Sequence, residues 1–123
     1  MEIRQSAEDY LECILKLSHE LPVVRSIDIA NAMNFSKPSI SVAMKNLRVN
    51  GFINIDNRGF ITLTNEGMEI AIEIYDRHLV LKKWLMWLGV DEDTAEQDAC
   101  RIEHDLSETT FTAIKAHVME EIS

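Results

Sequence analysis

Residues 36–48 read SKPSISVAMKNLR, and this stretch decides how the first half of the chain folds. Ser36 can cap a helix, and Pro38 falls in the first turn, where its missing N–H costs nothing. The helix is predicted to run to about Asn50 and to be closed by Gly51. The stretch therefore predicts a capped helix with serine and lysine side chains at its start.

Two helices precede this stretch and a hairpin follows it. Ser6 begins a helix whose apolar residues recur until Pro22, and a short second helix over residues 27–33 leads into a turn at Asn34. After the capped helix the apolar spacing changes from helical to alternating, with a turn at residues 56–59. Helix, short helix, turn, helix and hairpin, in this order, predict a winged helix-turn-helix.

The second half of the chain is predicted to form three helices. The first begins at Asn65, carries apolar side chains on two sides and is stopped by Gly89, and Asp91 and Ser107 can cap the other two. A second copy of the chain can cover the second apolar side, which predicts a homodimer. In the alternative, the last two helices of the same chain cover both sides. The predicted fold class is mainly α, with a small β-hairpin wing followed by an α-helical domain.

The charge of the chain is unevenly distributed. The net charge is −9 over 123 residues, yet basic and acidic residues are equal in number up to Phe60, so the acidic excess lies beyond it. From Lys37 to Arg58 the only acidic residue is Asp56. A locally basic segment joined to an acidic second half predicts phosphate as the partner of the first and a cation as the partner of the second.

The sequence also indicates the cellular compartment, through its lack of targeting signals and its small number of cysteines. No stretch approaches the roughly 20 apolar residues of a membrane-spanning helix, and residues 1–10 lack the apolar run of a signal peptide. We therefore expect a cytoplasmic protein without a membrane partner. Two cysteines are too few for a disulfide framework. Cys13 is assigned to the core, whereas Cys100 is either a small core residue or a thiolate with a function.

The helix of residues 36–48 and the hairpin tip are predicted to contact double-stranded DNA. Hydroxyl and backbone N–H groups at a helix start can meet phosphates or base edges, and Arg58 at the hairpin tip can reach a minor groove or the backbone. In the alternative, the serines only cap the helix and the basic side chains are only solvated. The candidate DNA-binding residues are Ser36, Lys37, Pro38, Ser39, Ser41, Val42, Lys45, Arg48 and Arg58.

Residues of the types that bind metals recur on three helices. Two carboxylates three positions apart share a face of the first helix, and a thiol, a carboxylate and an imidazole at i, i+3 and i+4 share a face of the penultimate helix. A further imidazole lies on the long helix, and such a mixed set suits a first-row divalent ion. Taken singly, each has another explanation as a cap, a buried residue or a solvated one. The candidate ligands are Asp9, Glu12, His78, Cys100, Glu103 and His104.

Four motifs occur in a fixed order along the chain. They are SAEDYLE at 6–12, SKPSISV at 36–42, DRH at 76–78 and DACRIEH at 98–104, which DLS follows. Together they resemble the diphtheria toxin repressor family of metal-dependent transcriptional repressors, over nearly the whole chain. The resemblance is strongest to the manganese transport regulator branch of that family.

The resemblance implies a homodimer of winged helices in which Mn(II) or Fe(II) promotes operator binding and so represses metal-uptake genes. We expect a DNA-binding domain over residues 1–64 and a helical dimerisation and metal-binding domain over residues 65–123. Because candidate ligands occur on both sides of this boundary, the ion is expected to fix the separation of the two recognition helices in the dimer near the groove repeat of about 34 Å.

Carried over position by position, the ligand set is a hybrid of two branches. Cys100 stands where the manganese branch has glutamate and the iron branch has cysteine, whereas the iron branch has methionine at the position of Asp9. A second ion site of the iron branch is not expected, because Lys82 and Glu96 replace its glutamate and histidine. Oxygen ligands favour Mn(II) and a thiolate favours Fe(II), Co(II) or Zn(II). We expect Mn(II) first and Fe(II) next, with Zn(II) or Co(II) binding in vitro. The candidates on ligand positions of the manganese branch are Asp9, Glu12, His78, Glu103 and His104.

Two other functions stay open from the residues alone. A metal-independent winged-helix regulator would need no ligand set, and a zinc-dependent hydrolase is suggested by the likeness of C-x-x-E-H to metalloprotease spacings. A filled coordination shell leaves no position for a catalytic water. We therefore expect a regulator and not an enzyme.

Overall fold

The computed structural model describes residues 5–121, with side chains from residue 6 onward. Over these residues the chain forms α-helices and one two-stranded antiparallel hairpin, and no helix among them is long and apolar enough to cross a membrane. In chain order the elements are α1 (Gln5–Glu20), α2 (Ser26–Met33), α3 (Lys37–Val49), β1 (Ile53–Ile55), β2 (Ile61–Leu63), α4 (Asn65–Trp87), α5 (Glu92–Ile102) and α6 (Glu108–Glu121).

The chain divides into two compact units, which we call the N-terminal unit (Met1–Ile72) and the C-terminal unit (Glu73–Ser123). The border between them falls inside α4. The domain boundary expected from the sequence, between residues 64 and 65, lies at the start of that helix and stays a prediction.

The N-terminal unit has the predicted winged helix-turn-helix order. Asn34 ends α2 in the left-handed conformation with φ 57°, and Ser36 caps α3 by accepting a hydrogen bond from the Ser39 N–H. In the hairpin, Ile53 pairs with Leu63 and Ile55 with Ile61. The fold class is thereby confirmed. Large side chains that are fully buried in this unit are Leu11, Ile14, Ile29, Ile40, Met44 and Ile53.

Gly67 permits a close approach inside the N-terminal unit. It lies in the first turn of α4, where a Cβ atom would stand 2.0 Å from the carbonyl oxygen of Phe52. Thr64 connects the same two segments, because its hydroxyl donates to the Gly51 carbonyl and accepts from the Gly67 N–H. The start of α4 therefore packs directly on the backbone that enters the wing.

The C-terminal unit consists of the rest of α4 with α5 and α6. Asp91 caps α5 by accepting a hydrogen bond from the Thr94 N–H, and Ser107 caps α6 in the same way from Thr110. Phe111 belongs to an apolar core that joins α4 and α6. That core contains Val80, Phe111 and Val118, with Trp84, Leu106 and Ile114 packed against it.

Two details of the predicted helices are corrected by the structure. Ser6, expected at the start of the first helix, lies inside α1. The penultimate helix, expected to continue to about Asp105, ends at Ile102, and Glu103 is its C-cap. Glu103 and His104 therefore follow α5 instead of standing on it, although the backbone of Glu103 keeps helical angles.

Candidate metal centre and nucleic-acid interface

Three of the candidate ligands meet within the C-terminal unit. His78 comes from α4, Cys100 from α5 and Glu103 from the C-cap of α5, and their ligand atoms all lie within 4.8 Å of one another. The Nδ1 atom of His78 lies 2.9 Å from Glu103 Oε2 and 3.7 Å from Cys100 Sγ. We call these three residues the C-terminal cluster.

Glu103 is the most deeply buried member of the cluster. The residue is 0% exposed, and Nε2 of His104 lies 3.3 Å from its Oε1 atom. Burial opposes ionisation of the carboxyl group, but the His104 and His78 imidazoles outweigh it, so the pKa of Glu103 is lowered. Glu103 is thus a buried carboxylate between two histidines.

His78 is protonated at neutral pH in the metal-free protein. The Cys100 sulfur and then the Glu103 carboxylate raise its pKa to about 10, against the opposing effect of burial. An imidazole must lose a proton before a ring nitrogen can bind a metal ion. The imidazole of His78 is therefore protonated in the metal-free protein, and a metal ion that binds to it must displace one ring proton.

The donor set of the cluster fits a divalent transition metal. Imidazole, thiolate and carboxylate are the ligand types that Fe(II), Co(II) and Zn(II) accept, and the carboxylate also suits Mn(II). Within the described part of the chain, Oε1 of Glu103 is buried and receives no hydrogen bond. A buried carboxylate oxygen in that situation is stabilised by a cation.

Arg77 holds the turn that carries Glu103 and His104. Its Nη1 group donates to the backbone carbonyls of Glu103 at 3.1 Å and of Leu106 at 2.8 Å. The guanidinium group stacks over the Phe111 ring, 4.9 Å from the centroid. A buried side chain of α4 thus donates to two backbone carbonyls of the turn that follows α5.

Two contacts of Glu96, one with His78 and one with Lys82, were missed by sequence reasoning. Glu96 Oε1 lies 2.9 Å from Nε2 of His78, and Glu96 Oε2 lies 3.1 Å from Nζ of Lys82. The sequence analysis treated Lys82 and Glu96 only as the loss of a second ion site. Their spacing carried the missing signal, because Lys82 follows His78 by four positions and Glu96 precedes Cys100 by four.

Asp9 and Glu12 lie in the N-terminal unit, on α1. Glu12 is buried, and its Oε2 atom lies 3.7 Å from Nζ of Lys16. The place of both carboxylates in a ligand set stays a prediction. Cys13 lies half-buried on the same helix, where burial raises the pKa of its thiol to about 11. That pKa agrees with its assignment to packing, since a thiol rather than a thiolate is present at neutral pH.

The predicted DNA-binding residues all lie on the surface of the N-terminal unit. The inner face of α3 is buried through Ile40, Met44 and Leu47, which leaves the opposite face to solvent. Val42 on that outer face is 62% exposed. The Ser36 hydroxyl caps α3 and also donates to Ser39 Oγ at 2.8 Å, so the capping explanation holds for Ser36.

The hairpin tip presents Arg58 on a rigid turn. The Asp56 carboxylate accepts hydrogen bonds from the backbone N–H groups of Arg58 and Phe60, both at 2.9 Å, and Gly59 takes a φ of 81°. The Arg25 guanidinium stacks on the Phe60 ring, 4.7 Å from its centroid. Arg58 is exposed at the end of this turn.

Comparison with known families divides the chain into two matched segments. Residues 2–59 match the family described as "Iron dependent repressor, N-terminal DNA binding domain". Residues 64–120 match the family described as "Iron dependent repressor, metal binding and dimerisation domain".

Relatives and solved structures agree with this division. An uncharacterised HTH-type transcriptional regulator of Methanocaldococcus jannaschii is 35% identical over 90% of this chain and 90% of its own. The transcriptional regulator MntR of Escherichia coli O157:H7 is 33% identical over 91% of this chain and 72% of its own. A solved manganese-dependent transcriptional repressor in complex with manganese superposes with a TM-score of 0.84 at 26% identity.

The manganese regulator SloR has a TM-score of 0.80 at 26% identity. This chain spans about half of the length of these two solved regulators, 52% and 54%. The matched relatives are transcriptional regulators and not enzymes, which agrees with the expectation from the sequence. The resemblance read from the four motifs is confirmed, and the chain belongs to the iron-dependent repressor family of metal-dependent transcriptional repressors.

Proposed function

We propose that this protein is a metal-responsive transcriptional repressor that controls genes for Mn(II) or Fe(II) uptake. The observation that carries the proposal is the C-terminal cluster, in which an imidazole, a thiol and a buried carboxylate lie within 4.8 Å of one another. Oε1 of Glu103 is buried and contacts His104 Nε2 at 3.3 Å without forming a hydrogen bond, so the protein alone compensates this oxygen only weakly. A cation satisfies that oxygen.

The proposed ligand set extends the cluster by residues that follow from the family resemblance. His104 has its imidazole beside the Glu103 carboxylate, which supports its inclusion, whereas Asp9 and Glu12 are included on the resemblance alone. When bound, the ion supplies the positive charge that holds these carboxylates together and so fixes the dimer for operator binding. The proposed ligands are Asp9, Glu12, His78, Cys100, Glu103 and His104.

Mn(II) is the proposed physiological ion, and Fe(II) is the alternative. Two similar solved structures are named as manganese regulators, and three of the six proposed ligands are carboxylates, which suit Mn(II). Cys100 is the residue that favours Fe(II), Co(II) or Zn(II), because thiolates prefer softer ions. The physiological ion therefore depends on whether Cys100 takes part.

DNA is the proposed partner of the N-terminal unit. The exposed face of α3 and the hairpin tip carry cations and small side chains on rigid elements. The proposed contacts of this face with an operator are made by Ser36, Lys37, Pro38, Ser39, Ser41, Val42, Lys45, Arg48 and Arg58.

A second copy of the chain is the proposed partner of the C-terminal unit. Three large apolar side chains of this unit, Leu79, Trp87 and Leu88, are about half exposed. A monomer seldom exposes several large apolar side chains in one region. A family domain described as metal binding and dimerisation matches these residues. A homodimer of this kind suits a two-fold symmetric operator in the cytoplasm.

The test is operator binding with and without metal. DNA that binds the protein in Mn(II) is first selected from random duplexes, and its affinity is then measured by fluorescence anisotropy in Mn(II) and in EDTA. A coupling of about 1 to 3 kcal/mol gives an affinity about 5- to 150-fold higher in Mn(II). Glu103→Gln should lose this response, whereas Glu108→Gln, which changes an exposed carboxylate at the start of α6, should keep it. Equal wild-type affinity in Mn(II) and EDTA overturns the proposal.

Substitution of the two cysteines separates ligand identity from metal response. Cys100→Ala should bind Mn(II) and weaken the binding of Co(II) and Zn(II), because it loses the thiolate and keeps the oxygen ligands. Cys13→Ala is the matched control and should leave both affinities unchanged. If Cys100→Ala binds all three ions as the wild type does, Cys100 is not a ligand.

A further inference from the structure

The two ring nitrogens of His78 have different surroundings. Nδ1 faces the Glu103 carboxylate at 2.9 Å and the Cys100 sulfur at 3.7 Å. Nε2 lies 2.9 Å from Glu96 Oε1, and Glu96 is not a member of the proposed ligand set. His78 is itself only 2% exposed, so both nitrogens depend on protein groups for partners.

We infer that Glu96 is a positioning residue, which holds the Nε2–H of His78 so that Nδ1 is the nitrogen that binds the ion, and that Lys82 holds Glu96 in this task. The inference rests on the proposed function, because it requires a metal ion at the C-terminal cluster. It adds to that proposal two residues that touch no ligand atom other than those of His78.

The first step of the argument is the direction of the His78 ring. A histidine that binds a metal through one nitrogen commonly donates its other N–H to a carboxylate, which fixes the tautomer and the ring orientation. The Glu96 carboxylate occupies that position on the Nε2 side. Nδ1 faces Glu103 and Cys100, so the arrangement selects Nδ1 for the ion.

The second step concerns the two oxygens of Glu96. Oε1 is engaged by His78 and Oε2 by Lys82 Nζ at 3.1 Å. Lys82 also pairs with Glu92, whose Oε1 lies 3.4 Å from Nζ. With both oxygens committed, Glu96 orients the imidazole and does not act as a ligand itself.

The third step is the place of these residues in the fold. Lys82 lies one turn after His78 on α4, and Glu96 lies one turn before Cys100 on α5. Two helices therefore each contribute one proposed ligand and one supporting residue. Lys83 is the neighbour of Lys82 in sequence but is exposed, which makes it a matched control.

The test measures Mn(II) affinity by calorimetry on purified full-length variants. Glu96→Ala should weaken Mn(II) binding by about 10- to 100-fold, the usual loss on removal of such a supporting group. Glu96→Gln should recover most of this loss, because its amide oxygen can still accept from Nε2–H. Lys82→Met should lie between Glu96→Ala and the wild type, and Lys83→Met should equal the wild type.

A spectroscopic measurement separates positioning from a general loss of structure. In the Zn(II)-loaded protein, which is diamagnetic, proton–nitrogen NMR spectra of His78 should show a protonated Nε2 and a metal-bound Nδ1. Circular dichroism of metal-free Glu96→Ala should match the wild type; if this variant does not fold, Glu96→Gln and the His78 spectrum decide alone.

The outcomes distinguish this inference from the proposed function. If Glu96→Ala binds Mn(II) as tightly as the wild type, or if Nε2 is the metal-bound nitrogen, the inference is overturned while the metal site stands. If the wild-type chain binds neither Mn(II) nor Zn(II), the proposed function itself fails, and the inference fails with it.

Discussion

The two units of this chain differ in where they place their charges. The N-terminal unit keeps the predicted DNA-binding cations on its surface, over a core of Leu11, Ile29, Ile40 and similar apolar side chains. The C-terminal unit buries Arg77, His78 and Glu103. The proposed DNA-binding surface of the first unit can therefore change without disturbing its core, whereas in the second unit two of the proposed metal ligands are also part of the buried structure.

The largest expected effect tests the dependence of the C-terminal unit on its buried charges. Glu103→Leu removes the carboxylate that faces the His78 imidazolium and leaves that cation without its buried partner. Such a loss costs about 3 to 5 kcal/mol of unfolding free energy. Urea denaturation of the metal-free protein measures it.

The control for this prediction is Glu108→Leu, which removes an exposed carboxylate at the start of α6. It should change the unfolding free energy little, since exposed ion pairs contribute little. Similar losses for both variants would show that the charges of the C-terminal unit are not coupled to its stability.

The next largest effect tests whether the stability of the N-terminal unit depends on close packing and not on buried charges. Gly67→Ala places a Cβ atom 2.0 Å from the Phe52 carbonyl oxygen, so the start of α4 or the entry to the wing must move. Overpacking of this kind costs about 1 to 3 kcal/mol. Thermal unfolding measures the loss, and Glu66→Ala in the same turn is the control because its side chain is exposed. Equal melting temperatures for Gly67→Ala and the wild type would contradict the close approach.

The same difference explains what the sequence could and could not predict. The N-terminal unit follows from local signals, such as Ser36 as a cap, Pro38 in the first turn and the alternating apolar residues of the wing. Its candidate DNA-binding residues follow from their positions in local elements, and the structure places each of them on the surface, whereas their contact with DNA stays a prediction. Long-range packing added the contact of Gly67, which no local pattern shows.

In the C-terminal unit, residue types were predictable and their arrangement was not. The family motifs identified His78, Cys100 and Glu103, and the structure brings these three together. The end of α5 was placed too late, and the carbonyl of its C-cap Glu103 accepts a hydrogen bond from Arg77, a partner 26 positions earlier that no local pattern shows. Glu96 and Lys82 were interpreted only as the loss of a second ion site, and the packing of α4 against α5 shows that Glu96 contacts His78.

A smaller expected effect is the pH dependence of stability and of Mn(II) affinity in the C-terminal unit. Folded His78 has a pKa of about 10 in the metal-free protein, whereas an unfolded histidine titrates near 6.5. The raised pKa stabilises the metal-free fold fully below about pH 6.5, and this contribution is lost as the pH rises towards 10. Since Mn(II) displaces the same proton, its apparent affinity should rise by up to about tenfold per pH unit across this window.

Calorimetry with Mn(II) at several pH values checks this dependence. His117→Gln, on α6, should keep the full slope, because His117 contacts the Trp87 ring and belongs to no proposed ligand set. An Mn(II) affinity that is constant between about pH 6.5 and pH 8 would show that His78 does not release a proton on binding.

The smallest effect belongs to the surface of the N-terminal unit. Lys45 is exposed on α3, and a phosphate contact there adds about one released counterion. Lys45→Ala should therefore reduce the slope of log affinity against log salt concentration by about 1 and weaken all DNA sequences alike. Fluorescence anisotropy at several salt concentrations measures the slope, with Lys83→Ala of the C-terminal unit as the control. Because Lys45 lies outside the core of its unit, the melting temperature should stay at the wild-type value. A loss of stability in Lys45→Ala would contradict the comparison of the two units. It would show that an exposed cation of the N-terminal unit contributes to folding, as the buried charges of the C-terminal unit are expected to do.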